Sequence, residues 1–281
     1  MKIGVLGAGT MGNGIAHVFA QYNYKVVLVD VNDQILSNAF NSIEKNLNRQ
    51  CQKNIINNKD LKNSLSNIEL STEINSFKSC DLVIEAIKED LDLKKKIFSQ
   101  LDLICDKNTI LASNTSSISI NSLADSTNRS EKVIGMHFMN PVPIMKLVEI
   151  IKGNKTSKET IDIILSISKK LDKIPIQCND SPGFVSNRIL MPMINEAAHC
   201  YNEGVADAQS IDSIMKLGMG HPMGPLKLAD LIGIDVCVYI LNVLFNEFND
   251  VKYKPSDILV NMLEKKYLGK KTGKGFYNYE L

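Results

Sequence analysis

His137 and Glu149 stand six residues either side of Pro143. The first falls in an apolar run over Val133–Phe138, the second in another over 146–151. If the chain reverses about Pro143, the two side chains face each other across an antiparallel pair, with Cβ atoms about 4.5–5.5 Å apart. A carboxylate in that place fixes the imidazole tautomer and stabilises the imidazolium. The histidine can then give or take a proton on a substrate oxygen near neutral pH. A His–Glu pair that merely ties two strands together is the structural alternative. The other three histidines offer less. His17 lies inside a helical stretch and reads as half-buried packing, His199 sits in a helix beside Ala197 and Ala198, and His221 occupies a Gly-His-Pro turn.

A second constellation supplies the electron chemistry. Gly7-Ala8-Gly9-Thr10-Met11-Gly12 follows directly on the apolar run Lys2–Leu6 and opens a helical stretch over 14–20, and Asp30 ends the next apolar run, 18 residues beyond Gly12. Strand, glycine turn, helix and distal acid together make a dinucleotide fingerprint. Gly7 permits the tight turn, Gly9 lets backbone approach the pyrophosphate, and Gly12 lets helix and strand pack closely. Thr10 and Met11 fill the variable positions at the helix N-terminus, whose N–H groups and dipole attract the anion. Asp30 can accept hydrogen bonds from the adenosine ribose and repels a 2′-phosphate. Val31 and Asn32 follow it with no arginine, so NAD is expected over NADP.

Three polar clusters can complete such a site. Glu85 and Glu89 follow an apolar run at 81–86, where open α/β sheets bind ligands; Glu89 with Asp90 can equally be N-terminal helix charge. Ser113-Asn114-Thr115-Ser116-Ser117 follows the run at 109–112, and Asn187-Arg188 begins a helical stretch. A hydroxyl from the serine and threonine cluster and an amide from Asn187 could stabilise charge developing on a carbonyl oxygen. Helix capping and a solvated helix face are the plainer readings of the same residues.

The elements that position these groups follow from periodicity. Strand candidates at Lys2–Leu6, 25–30, 81–86, 109–112 and Val133–Phe138 alternate with amphipathic helices at 38–53 and Leu91–Ile104, which implies βαβ units and an α/β, doubly wound, Rossmann-type sheet. The texture changes at Cys178-Asn179-Asp180-Ser181-Pro182-Gly183. The expected domains are therefore an NAD-binding unit at 1–182 and an all-α unit at 183–281. In the latter, 226–248 reads as mostly buried helix and the glycine-bearing tail 269–279 as a surface loop.

Composition narrows the function. Among 281 residues, 32 Lys plus Arg against 31 Asp plus Glu give a net charge of +1, which lacks the basic surface of nucleic-acid binding. The most apolar stretch, 231–245, is interrupted by Asp235 and Asn242 and falls short of the about 20 residues that span a bilayer. The six cysteines are scattered without a C-x-x-C pair, so neither a disulfide framework nor a metal site is expected, and no secretory pattern opens the chain. A cytoplasmic protein is the expectation.

Along its whole length the sequence resembles the 3-hydroxyacyl-CoA dehydrogenase family, especially its bacterial short-chain branch. The resemblance is carried by the glycine motif, Val83-Ile84-Glu85-Ala86, Ser113–Ser117, His137-Phe138-Met139-Asn140-Pro141 and Met145-Lys146-Leu147-Val148-Glu149. Further motifs are Pro182-Gly183-Phe184-Val185-x-Asn187-Arg188, His221-Pro222-Met223-Gly224-Pro225 and Gly273-x-Gly275-Phe276-Tyr277. It implies NAD-dependent interconversion of (S)-3-hydroxyacyl-CoA and 3-oxoacyl-CoA, with short chains such as acetoacetyl-CoA preferred. His137 is then the acid/base, Glu149 its partner, and Ser116 and Asn187 contacts of the substrate. Asp30, Glu89, Lys94, Ser116 and Asn140 line the NAD site. Asn46 and Lys53, with Arg49 one turn away, meet the CoA moiety, and the protein is a homodimer or larger homo-oligomer. His17 departs from the family's usual glutamine, and Met219-Gly220 from its usual Ala-Asn. Two other functions share the glycine fingerprint: a dehydrogenase of free 3-hydroxy acids with a lysine catalyst, and a non-catalytic NAD-binding relative.

Overall fold

The computed structural model describes residues 1–280. The chain divides into two compact units, Met1–Ser181 and Pro182–Leu281.

The first unit is built on one eight-stranded sheet. Its strands are β1 (Lys2–Leu6), β2 (Lys25–Val29), β3 (Ile68–Ser71), β4 (Leu82–Glu85), β5 (Ile110–Ser113), β6 (Val133–Phe138), β7 (Leu147–Lys152) and β8 (Ile174–Asn179). They lie in the order β3-β2-β1-β4-β5-β6-β7-β8, and every neighbouring pair is parallel except β6–β7. Ile3, Val5, Val26, Leu28, Leu82, Ile84, Ile134 and Met136 belong to one buried cluster with residues of the flanking helices. Central strands covered on both faces must be apolar at every position, which is why β1, β2, β4 and β6 read as unbroken runs. The strand order reverses between β1 and β4, and ligand crevices of open α/β sheets form at such switch points.

Helices α1 (Thr10–Gln21), α2 (Asp33–Gln52), α3 (Asn58–Ser66), α4 (Leu91–Ile104), α5 (Ile120–Ala124) and α6 (Lys158–Lys170) complete this unit. In α2 the Asn32 side chain accepts from the N–H groups of Gln34 and Ile35, and Leu36, Ala39, Ile43 and Leu47 form the buried stripe. His17 of α1 is fully buried, not half-buried as the sequence suggested, and burial lowers its pKa to about 4. Both folded and unfolded chains hold this histidine neutral above its ordinary pKa of 6.5. Below it only the unfolded chain gains the proton, so folding stability should fall by about 3 kcal/mol between pH 6.5 and 4. Urea titrations across that window should show the slope, and His17→Gln should flatten it; an unchanged slope in the variant would assign the acid sensitivity elsewhere.

The second unit is helical: α7 (Ser186–Asn202), α8 (Ala208–Leu217), α9 (Pro225–Ile232), α10 (Ile234–Phe248) and α11 (Asp257–Glu264). Residues 226–248 are two helices rather than one. Gly233, at φ 106°, breaks them, and their axes bend by 99°. Ile234, Cys237, Leu241 and Leu244 of α10 face the core with Met191 and Ile194 of α7. Among the described residues no single helix is long and apolar enough to cross a membrane. The tail at 269–279 is a surface loop, as expected, and it is strapped down by hydrogen bonds. Buried Asp230 accepts from the N–H groups of Phe276 and Tyr277, at 2.9 Å each, and Tyr277 donates its hydroxyl to Asp212 at 2.7 Å. Those bonds satisfy two buried carboxylates that otherwise carry a large desolvation penalty.

Candidate active site

The glycine turn sits at the switch point. Gly7 donates its N–H to Val29 O at 2.8 Å and has φ +97°, and a Cβ there would lie 2.6 Å from Ala86 O. A Cβ on Gly12 would lie 1.7 Å from Gly7 O, so helix α1 could not approach β1 with any larger residue. Gly9 differs, because a Cβ built on it meets nothing within 4 Å and its backbone is unstrained. Protein packing therefore does not require glycine at position 9, whereas a ligand laid against the backbone would. Gly9 also caps α1 without a side-chain acceptor, which leaves the first-turn N–H groups of Thr10, Met11 and Gly12 aimed past it. Asp30 accepts from Ala8 N–H through Oδ2 at 2.7 Å and from Val31 N–H through Oδ1 at 2.8 Å, and so fixes the turn against the end of β2. This cradle fits a dinucleotide. Gly9→Ala should leave unfolding of the free protein unchanged but weaken NADH binding at least about tenfold, or 1.4 kcal/mol. Unaltered affinity in a fluorescence titration would move the pyrophosphate away from this turn.

Next to it lies a buried ionic network. Glu85, at the end of β4, is wholly buried and accepts from Lys94 Nζ at 2.7 Å, Ser113 Oγ at 2.6 Å and Ile87 N–H at 2.7 Å. Lys94 of α4, itself 1% exposed, also contacts Glu89 at 3.0 Å. Glu89 accepts from the Thr115 hydroxyl and from Ser116 N–H at 2.9 Å. Burial by itself would raise the Glu89 pKa, but Lys94, Thr115 and the Ser116 N–H together hold it below the usual carboxylate range. Helix capping falls to Asp90, whose side chain accepts from Leu93 N–H; Glu89 instead shapes the loop at 115–117. Ser119, not Ser116, caps α5.

In the β6–β7 pair His137 is opposite Glu149, and Nδ1 lies 2.8 Å from Glu149 Oε2. Both residues are buried. With Nδ1 engaged by a carboxylate, proton exchange falls to Nε2. Asn114 Oδ1 accepts from the N–H of Phe138 at 2.9 Å and pins the strand just beyond His137. No signal in the sequence singles out Asn114; only its place in a polar cluster at a strand end hints at a role.

Asn46, Arg49 and Lys53 of the α2 region line a groove of about 590 Å³, together with Tyr22, Ile144, Lys146 and Lys173. Asn140 is exposed in the turn after β6, and Ser116 is half-buried in the loop after β5. Asn187 belongs to the second unit, where it is buried in the first turn of α7 and its N–H bonds Gly183 O at 3.1 Å.

Comparison with known proteins identifies the family of both units. Residues 2–181 match the family description "3-hydroxyacyl-CoA dehydrogenase, NAD binding domain", and residues 183–279 match "3-hydroxyacyl-CoA dehydrogenase, C-terminal domain". A probable 3-hydroxybutyryl-CoA dehydrogenase of Deinococcus radiodurans is 50% identical over 99% of this chain and 100% of its own. The 3-hydroxybutyryl-CoA dehydrogenase of Clostridioides difficile is 48% identical over 99% of each chain. Among solved structures, the (S)-3-hydroxybutyryl-CoA dehydrogenase of Ralstonia eutropha superposes with a TM-score of 0.96 at 47% identity, covering 100% of this chain and 99% of that one.

Proposed function

The chain belongs to the 3-hydroxyacyl-CoA dehydrogenase family, and from that membership we propose that it interconverts (S)-3-hydroxybutyryl-CoA and acetoacetyl-CoA with NAD. The observation that carries the reading is the 2.8 Å contact between His137 Nδ1 and Glu149 Oε2, in the sheet whose glycine turn fits a dinucleotide. NAD, when bound, accepts hydride from C3 of the hydroxy ester or returns it to C3 of the ketone.

The protein's part is the proton and the positioning. In reduction His137 protonates the forming alkoxide, and in oxidation it removes the hydroxyl proton. Glu149 fixes the tautomer through Nδ1 and stabilises the imidazolium that forms. Ser116 and Asn187 act as donors to the C3 oxygen and its neighbours. Gly7, Gly9, Thr10, Met11 and Gly12 hold the pyrophosphate, and Asp30 holds the adenosine ribose. Glu89, Lys94, Ser116 and Asn140 complete the lining of the NAD site. Asn46 and Lys53 meet the CoA moiety with Arg49 beside them, a reading supported by the cation-lined groove on which they lie.

A cytoplasmic location and a homodimer or larger homo-oligomer are part of this reading, the assembly supported by the half-exposed apolar side chains Leu231, Val236 and Tyr239 of α9 and α10. Light scattering tests it, and a monomer of 31.2 kDa would overturn it. The activity is tested by following NADH oxidation with acetoacetyl-CoA, in parallel with NADPH and with free acetoacetate. Turnover with NADH and the CoA ester alone is expected. Turnover of free acetoacetate would select a hydroxy-acid dehydrogenase, and binding of NADH without turnover a non-catalytic relative.

A further inference from the structure

The turn that joins the strands bearing His137 and Glu149 is held from both sides. On one side Val142, 2% exposed, packs on α1, where a Cβ on Gly14 would lie 2.9 Å from Val142 Cβ. The turn is thereby seated on the helix that opens at the glycine motif. On the other side is Lys173, just before β8. It is 6% exposed, and its Nζ donates to Val142 O at 2.5 Å and to Met145 O at 2.7 Å. Those carbonyls stand one on each arm of the reversal about Pro143. Pro141 O closes the turn by accepting from the N–H groups of Ile144 and Met145, at 3.0 Å each.

A buried ammonium is costly unless its hydrogen bonds are well made, and this one makes two bonds to backbone and none to a carboxylate. The neighbouring Lys146–Asp172 pair is more than half exposed and contributes little to holding the turn. We infer that Lys173 is a positioning residue for the proton transfer: by tying both arms of the reversal it holds His137 Nδ1 on Glu149 Oε2. It touches neither substrate nor the reacting atoms. The inference rests on the His137–Glu149 acid/base reading proposed above.

A double-mutant cycle with Lys173→Met and Glu149→Gln tests it. Lys173→Met should lower kcat about tenfold, with the NADH dissociation constant unchanged, and should move the acid limb of its kcat/KM profile towards that of Glu149→Gln. In the Glu149→Gln background the lysine change should alter kcat less than about twofold, because the carboxylate it positions no longer acts. Should Lys173→Met fail to fold, Lys173→Gln, which keeps one amide donor, carries the same cycle. Additive losses would overturn the inference and leave Lys173 a structural lysine. So would a raised KM for the CoA ester at unchanged kcat, which would make it a groove contact. Normal turnover by Glu149→Gln and His137→Gln would instead defeat the acid/base reading itself.

Discussion

Replacing His137 by glutamine should lower kcat at least about a hundredfold while NADH still binds, the lower edge of the 10²–10⁴-fold that positioned acid–base catalysis supplies. Glutamine is close to histidine in size and can still hydrogen-bond Glu149, but its amide cannot cycle a proton near neutral pH. His137 is 6% exposed and Glu149 4%, so water has little access from which to substitute as the proton source. The loss should therefore appear in kcat and in kcat/KM together, the signature of an interaction made in the transition state. Steady-state rates with acetoacetyl-CoA and a fluorescence titration of NADH decide it. Turnover within a few-fold of the parent would take the histidine out of the mechanism. A loss of NADH binding would show that the substitution disturbed β6 and its turn as well as the chemistry.

How much of this was legible in the sequence depended on whether the signal was local. Strands β1, β2, β4 and β6 announce themselves because they are covered on both faces. The two edge strands do not. β3 is Ile-Glu-Leu-Ser and β8 is Ile-Pro-Ile-Gln-Cys-Asn, both half-exposed, and an edge tolerates polar residues and a proline that a central strand would reject. The glycine motif and its distal Asp30 are legible because each residue has a separate steric or electrostatic reason within one βαβ unit. The spacing of His137 and Glu149 about Pro143 is legible because an antiparallel reversal is local too. The bend at Gly233 was hidden by an apolar pattern that runs through it, since both α9 and α10 bury residues in the same core. The strapping of the tail onto Asp230, 46 residues away from Phe276, and the bonds from Lys173 to a turn 28 and 31 residues earlier leave no periodic trace. Glu89 and Asp90 are adjacent and chemically alike, so only geometry could assign capping to one and the Thr115–Ser117 loop to the other.

Lys94 shows why that geometry matters for the cofactor. The resemblance places it along the NAD site, and the fold makes it the single cation between two glutamates, Glu85 fully buried and Glu89 with its side chain 25% exposed. Lys94→Met preserves most of the side-chain volume and removes the charge. Breaking a buried pair by deleting one partner typically costs about 3–5 kcal/mol, because the remaining charge has lost its compensation. Here two carboxylates share that loss, so the variant should melt about 10 °C lower, or more. The deficit should shrink as pH falls, because protonated glutamates no longer need the ammonium. Adding Glu85→Gln should recover part of the stability, since glutamine is neutral, its carbonyl can still accept from the Ile87 N–H, and its amide NH2 can donate to Ser113 Oγ where the carboxylate accepted. NADH affinity should fall with Lys94→Met, since the loop at 115–117 hangs on Glu89. Thermal and urea unfolding of the single and double variants separate the two roles. A variant as stable as the parent that binds NADH poorly would make Lys94 a direct cofactor contact. A destabilised variant whose NADH affinity returns when Glu85→Gln is added would make it the scaffold beneath one.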